Sequence, residues 1–110
     1  EELILFLNGI KNEKIIKSET ATLMLQSSTQ NPNYAKGWFV NDVGNIWHTG
    51  SLKGASSMMA KTNSGYDVVM LFNTRPESQK YFPSLDKLMW DVLKNLQDEH
   101  KAVKSKITLN

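Results

Sequence analysis

The feature that most constrains the fold is a short, unbroken apolar run, Val68 to Phe72. It is rich in β-forming residues, and a run of this length is typical of a strand covered on both faces. A second run, Ser56 to Thr62, precedes it across a polar turn, Asn63 to Gly65. This second run is long enough to pair back across the turn, so the stretch predicts a β-hairpin. We expect the strand from Val68 to lie in the interior of a sheet.

A second hairpin is predicted before the first. Two runs, Gly37 to Asn41 and Ile46 to Thr49, flank the turn-forming residues Asp42 to Asn45, which include a glycine. Alternation along the first run puts Trp38 and Val40 on one face and Phe39 on the other. In the second run Ile46 and His48 share a face, and the tripeptide His-Thr-Gly falls at the end of the strand. Glycine at such a point lets another backbone or a ligand come close.

Helices are predicted on both sides of the strands. Near the start, apolar residues recur at helical spacing and Gly9 is a candidate stop, although residues 3–7 alone would also suit a buried strand. Ser18 is predicted to cap a second helix, and Ser84 a last one. The apolar stripe of the last helix has an i, i+3, i+4, i+7 spacing; it comprises Leu85, Leu88, Met89, Val92, Leu93 and Leu96. Residues 98–110 either extend this helix or fray.

Composition excludes several classes of protein. The chain has 110 residues, 40% hydrophobic and 22% charged, which suits one small globular domain rather than a disordered segment. Its net charge of +2 is too small to indicate nucleic-acid binding. Cysteine is absent, and His48 and His100 are far apart in sequence, so neither a disulfide nor a metal site is expected. We expect no cofactor.

Four segments in a fixed order resemble a known family. They are GWFV at 37–40, HTGS at 48–51, GASSMM at 54–59 and VVMLFN at 68–73. Together they resemble the last third of the serine β-lactamase and penicillin-binding-protein superfamily, in particular the class C-like hydrolases and D-Ala-D-Ala carboxypeptidases. The likeness spans roughly residues 3–96. The order of the runs, with helices before and after a set of strands, predicts an α+β fold. The resemblance implies the same fold, with an antiparallel sheet of about four strands packed against N-terminal and C-terminal helices.

The resemblance also implies a binding strand. We call His48-Thr49-Gly50 the triad. In the family the first residue of this tripeptide, here His48, helps hold a substrate carboxylate or tunes nearby catalytic groups. The hydroxyl at the Thr49 position binds the same substrate group. Gly50 lies between them and the residue whose N–H stabilises the developing oxyanion, here Ser51. The strand edge pairs with the extended substrate backbone. The alternative is that His48 is an ordinary strand histidine bonded to a neighbour.

The nucleophile that the family requires is not found at its expected place. Ser84-Leu85-Asp86-Lys87 has the form Ser-x-x-Lys, but it follows the triad, whereas the family places its nucleophile far upstream. A helix cap explains Ser84 better. No Tyr-x-Asn or Ser-x-Asn element occurs, because Tyr34, Tyr66 and Tyr81 all lack an asparagine two residues later. We therefore expect a C-terminal segment that lacks its catalytic residues and is inactive alone.

Two functions remain open at this point. The first is the C-terminal segment of a serine hydrolase acting on an acyl-amide, peptide or ester substrate, with the N-terminal part of the same protein as partner. The localisation of this chain does not follow from its residues; for the parent, the resemblance leads us to expect a place in the bacterial envelope or secretion. The alternative is a non-catalytic module that grips a ligand or peptide through the same strand. Apolar surface left open near Trp38, Trp47 and His48 is expected to cause weak self-association.

Overall fold

The computed structural model describes residues 1–108 and divides into two compact units, one before and one after the Pro76–Glu77 junction. The first unit holds two helices and a sheet, and the second holds one helix. The elements are α1 (Glu2–Lys11), α2 (Ser18–Leu25), β1 (Phe39–Val40), β2 (Ile46–Leu52), β3 (Ala55–Lys61), β4 (Asp67–Phe72) and α3 (Tyr81–Thr108). The predicted α+β class is confirmed, with four antiparallel strands and helices at both ends of the described chain.

The sheet has the strand order β1-β2-β3-β4, and each strand pairs antiparallel with the next along the chain. Both predicted hairpins are present. In the second, the Thr62 N–H donates to the Tyr66 carbonyl at 2.8 Å, and Gly65 has a φ of +94°, which favours glycine. In the first, the Asn41 N–H donates to the Asn45 carbonyl at 3.2 Å.

The core of the first unit lies between the two short helices and one face of the sheet. Trp38 and Val40 are buried on that face and Phe39 is exposed on the other, as the alternation predicted. The buried cluster comprises Leu7, Ile10, Ala35, Trp38, Val40 and Ile46. Met59 and Val69 pack against it from the neighbouring strands. Trp38 is only 5% exposed, so the apolar opening expected around it is not present.

Gly9 does not end the first helix, which continues to Lys11. Its importance is steric, because a Cβ at this position would lie 2.7 Å from Cδ1 of Ile15. The Gly9 carbonyl also accepts the N–H groups of Lys14 and Ile15, at 3.0 and 3.3 Å. The chain therefore folds back over the helix at a point where only glycine leaves room.

Neither serine predicted as a helix cap occupies a cap position. Ser18 is the first residue of α2, which follows Lys17, and its carbonyl accepts the Thr22 hydroxyl at 3.0 Å. Ser84 lies inside α3, where its N–H donates to the Lys80 carbonyl at 3.0 Å. Pro83 falls in the first turn of α3, where an N–H has no helical partner, so the helix can begin before it.

Two further expectations about packing are wrong. The strand from Val68, which belongs to β4, lies at the edge of the sheet rather than in its interior. On α3, Leu85, Met89 and Leu93 are buried, whereas Leu88, Val92 and Leu96 are exposed. The six apolar residues span a wider part of the helix circumference than the part that is buried. The three buried residues form a single row at i, i+4 and i+8. Beyond Gln97 the helix continues to Thr108, and residues 109–110 lie outside the described chain.

Candidate functional site

The triad lies in the middle of a strand and not at its end. Strand β2 runs from Ile46 to Leu52, because β3 pairs with it along its whole length, from Ile46↔Lys61 to Leu52↔Ala55. Local composition predicted a stop at Thr49, since glycine and serine are weak strand formers. Cross-strand pairing overrides that preference here. The backbone of Gly50 and Ser51 is therefore held in a regular extended conformation.

One edge of β2 is open beyond its second residue. Strand β1 is two residues long and pairs with Ile46 and Trp47, so no described strand lies beside residues 48–52 on that side. The Asn45 carbonyl faces β1, since it accepts the Asn41 N–H, and backbone groups alternate in direction along a strand. The N–H and C=O groups of Thr49 and Ser51 consequently point to the open edge. A ligand with an extended backbone can pair there as an added strand.

His48 is held by hydrogen bonds at both ring nitrogens. Its Nδ1 lies 2.6 Å from the Thr49 carbonyl oxygen, and its Nε2 lies 3.2 Å from the Tyr34 hydroxyl. A carbonyl oxygen can only accept, so Nδ1 carries the proton. In the neutral ring Nε2 then accepts a hydrogen bond from the Tyr34 hydroxyl. The imidazole is fixed at the open edge in one tautomer, and bonds of this kind to neighbouring groups are equally those of an ordinary strand histidine.

Aromatic rings enclose this histidine. Phe39 stacks on His48 and on Trp47, with 5.7 Å between ring centroids in each pair. Tyr34 meets Phe39 edge-on at 5.0 Å. We call Tyr34, Phe39, Trp47 and His48 the aromatic cluster. The cluster lies at the start of the open edge, where Tyr34 and Phe39 contact the His48 ring and Phe39 also contacts Trp47.

The four predicted binding residues do not present their side chains to one surface. His48 and Gly50 lie on the face of the sheet that carries the core, whereas Thr49 and Ser51 lie on the opposite face. A single ligand contacts groups from both sets only if it lies along the edge itself. The structure thus brings the four residues together as a strand edge rather than as a pocket floor.

Gly50 is packed closely by the neighbouring strand. A Cβ built on it would lie 2.2 Å from the hydroxyl oxygen of Ser57, its cross-strand partner. The Ser57 side chain thus occupies the space that any larger residue at position 50 would need. The close contact with Ser57 therefore explains why glycine occupies position 50.

A concavity continues the site beyond the triad. Its volume is about 610 Å³, and its wall includes Gly50, Ser51, Leu52, Ala55 and Leu71. Leu52 and Leu71 are 75% and 67% exposed. A smaller hollow of about 150 Å³ lies on the other side of the triad and includes Leu3 of α1. The larger concavity therefore extends from the end of β2 across β3 to the end of β4.

Ser84 and Lys87, which have the form Ser-x-x-Lys, both belong to the second compact unit. There Lys87 makes an ion pair with Asp91, one helical turn later. No group of three His, Cys, Asp or Glu side chains within residues 1–108 could hold a metal ion. Among these residues no helix is long and apolar enough to cross a membrane.

Tyr34 is the site residue that sequence reasoning missed. It lies in the polar loop before β1 and lacks the Tyr-x-Asn pattern of the family. An isolated bridge to Phe39 brings its ring to the triad, 14 residues away from His48 in sequence. No local sequence pattern predicts a contact between residues this far apart in sequence. An aromatic residue in an otherwise polar loop was the one available signal.

Comparison of the chain with protein families, with curated proteins and with solved structures finds no match.

Proposed function

We propose that this chain supplies the substrate-holding strand of a serine hydrolase of the β-lactamase and penicillin-binding type. The open edge of β2, with the N–H groups of Thr49 and Ser51 directed outward, is the observation that carries the proposal. In this role the edge pairs with the backbone of an acyl-amide, peptide or ester substrate. The Ser51 N–H then lies where it can donate to the oxygen of the carbonyl under attack.

The histidine and tyrosine of the aromatic cluster support this role chemically. The bond from Nδ1 to the Thr49 carbonyl fixes the ring, and Nε2 accepts a hydrogen bond from the Tyr34 hydroxyl. A ligand carboxylate near this end of the edge would meet a hydroxyl that can reorient to donate to it. This property suits a site that binds acids.

The second candidate is a binding module that uses the same edge without catalysis. It is favoured by the arrangement of Ser84 and Lys87, because this lysine pairs with Asp91 and both residues lie outside the unit that holds the triad. A serine becomes nucleophilic only with a base in hydrogen-bond reach. In this alternative the edge grips an extended peptide by backbone hydrogen bonds, with the apolar concavity giving specificity.

Binding is tested directly by titrating the ¹⁵N-labelled chain with an N-acyl-D-alanyl-D-alanine peptide and following amide shifts. We expect the largest changes at Thr49 and Ser51, whose N–H groups face the open edge. Ser51→Pro removes the outward N–H without removing a bond to β3, so it should abolish the binding. Ser51→Ala keeps the N–H and serves as the matched control. Binding that survives Ser51→Pro would contradict the strand-edge geometry.

Catalysis is tested by incubating the chain with a chromogenic β-lactam or an activated ester and weighing the intact protein. We expect neither turnover nor an adduct, because oxyanion stabilisation alone does not replace a nucleophile. An adduct on Ser51, Ser56 or Ser84 would contradict this expectation. Adding in trans a hydrolase segment that carries Ser-x-x-Lys and Tyr-x-Asn separates the two candidates. Acylation that requires His48 supports the hydrolase, and its absence together with peptide binding supports the module.

A further inference from the structure

The two hydrogen bonds of the neutral His48 ring use every proton that the ring nitrogens and the Tyr34 hydroxyl carry. The Nδ1–H group donates to the Thr49 carbonyl oxygen at 2.6 Å, and the Tyr34 hydroxyl donates to Nε2 at 3.2 Å. A neutral imidazole has one N–H group and a phenol has one O–H group. Both protons are therefore committed inside the protein. In this state the pair can accept a hydrogen bond from a ligand, at the Tyr34 oxygen, but it cannot donate one.

The two hollows that border the triad have no charged side chain among the described residues of their walls. The smaller hollow adjoins His48 itself, and its other walls come from Leu3 of α1 and from Ser57, Met58 and Met59 of β3. In the loop that holds Tyr34, the Nζ of Lys36 donates to the Leu23 carbonyl of α2 at 2.7 Å. The side chains of Glu1 and Glu2, which precede Leu3, are 91% and 95% exposed. A ligand carboxylate therefore meets no cation in these walls until the His48 ring itself is charged.

Protonation of His48 reverses the direction of its bond with Tyr34. Both nitrogens of an imidazolium ring are donors, so Nε2–H donates to the Tyr34 oxygen while Nδ1–H keeps its bond to the Thr49 carbonyl. The hydroxyl proton of Tyr34 can then turn away from the ring and donate to a carboxylate oxygen. The ligand gains a hydrogen-bond donor with a positive charge directly behind it, and charge-assisted hydrogen bonds are stronger than neutral ones.

We propose that a ligand carboxylate binds at the His48–Tyr34 end of the open edge only together with one proton, which His48 takes up. This inference rests on the proposed function, because it concerns the same edge of β2. The proton comes from solvent and is bound at Nε2, and histidine is the side chain suited to gaining a proton between about pH 5 and 8. A ligand that ends in a neutral carboxamide needs no such proton, since its N–H group can donate to the Tyr34 oxygen as that oxygen stands.

Titration calorimetry in two buffers of different ionisation enthalpy counts the protons that binding takes up. At about pH 7.5 we expect about one proton for each N-acyl-D-alanyl-D-alanine bound, and about none for the same peptide with a C-terminal carboxamide. In alkaline solution the dissociation constant of the acid should rise about tenfold for each pH unit, while that of the carboxamide stays constant. His48→Gln should abolish the proton uptake. His100→Gln changes the other histidine of the chain and is the matched control, which should leave the uptake unchanged.

The ¹⁵N spectrum of the His48 ring follows the same step in the unmodified chain, so the test does not depend on the folding of His48→Gln. When the acid binds at about pH 7.5, Nε2 should change from the resonance of an acceptor nitrogen to that of a protonated one, while Nδ1 stays protonated. Binding of the acid without proton uptake, or uptake that persists in a folded His48→Gln, would overturn this inference and leave the proposed function standing. If neither peptide binds, the proposed function fails and this inference fails with it.

Discussion

Replacing Gly50 by alanine offers a direct test of how the triad strand is packed. The new Cβ would lie 2.2 Å from Ser57 Oγ but 3.6 Å from Ser57 Cβ, which is an ordinary contact distance. The conflict is therefore with one hydroxyl oxygen on a rotatable bond. Gly50 does not have a positive φ, so the backbone itself tolerates a side chain. The whole penalty comes from displacing the Ser57 hydroxyl.

The size of the penalty follows from these contacts. Inserting a methyl group into a packed site costs about 1–3 kcal/mol, and moving one side chain off its rotamer costs about 0.5–1.5 kcal/mol. We expect Gly50→Ala to lower the free energy of unfolding by about 1–2 kcal/mol, within the range of these two effects. In a Ser57→Ala background the conflicting oxygen is gone. There the same substitution should be neutral or slightly stabilising, because alanine restricts the unfolded chain more than glycine does.

Urea denaturation followed by tryptophan fluorescence measures this coupling as a double-mutant cycle. Gly54→Ala is the control, since Gly54 has a φ of +77° and no heavy atom lies within 4 Å of the position that its Cβ would take. Its cost is backbone strain, so Ser57→Ala should not relieve it. An equal cost of Gly50→Ala in both backgrounds would refute the steric reasoning. The triad glycine would then be required for a reason other than its contact with Ser57.

Three further changes probe other parts of the first unit. Val69→Asp should unfold the chain, as seen by far-UV circular dichroism, because an unpaired carboxylate against the core costs several kcal/mol and total stability is only about 5–15 kcal/mol. Tyr34→Phe should lower stability by about 0.5–1.5 kcal/mol in urea denaturation, since it removes one hydrogen bond to His48. Lys61→Met should cost about 1–3 kcal/mol in the same assay, because it leaves the largely shielded Asp67 without its partner.

Each of these changes has a control and an outcome that contradicts it. Val43→Asp places the same charge at a residue that is 57% exposed and should leave the circular dichroism spectrum unchanged. For Tyr34→Phe, unchanged stability together with an unchanged ¹⁵N spectrum of the His48 ring would show that the bond is not formed in solution. For Lys61→Met, adding Asp67→Leu should recover most of the loss. If it does not, the lysine stem rather than the ion pair stabilises this end of the hairpin.

The sequence by itself determined those features that depend on neighbouring residues. Both hairpin turns follow from glycine and asparagine chemistry, and the faces of Trp38, Phe39 and Val40 follow from the two-residue period of a strand. The α+β class follows from the order of the runs. Helix starts do not follow from neighbouring residues in the same way. Ser18 and Ser84 look like caps locally, yet each helix begins where its first backbone bonds form, and at Ser84 this is upstream of a proline that the first turn accepts.

Only the tertiary structure decided where the edges of the sheet lie. An apolar run predicts that both faces of a strand are shielded, which is only partly so in β4, where Leu71 is 67% exposed. Hydrogen bonding occurs at the edges of a strand, about which the side-chain pattern carries no information. That is why Val68 to Phe72 was predicted as an interior strand and forms an edge. The same reason applies to the site. The open edge at Thr49 and Ser51 arises because β1 has only two residues, which pair with Ile46 and Trp47. The hydrogen bond between Tyr34 and His48 joins residues that are distant in sequence and come together only in the folded chain.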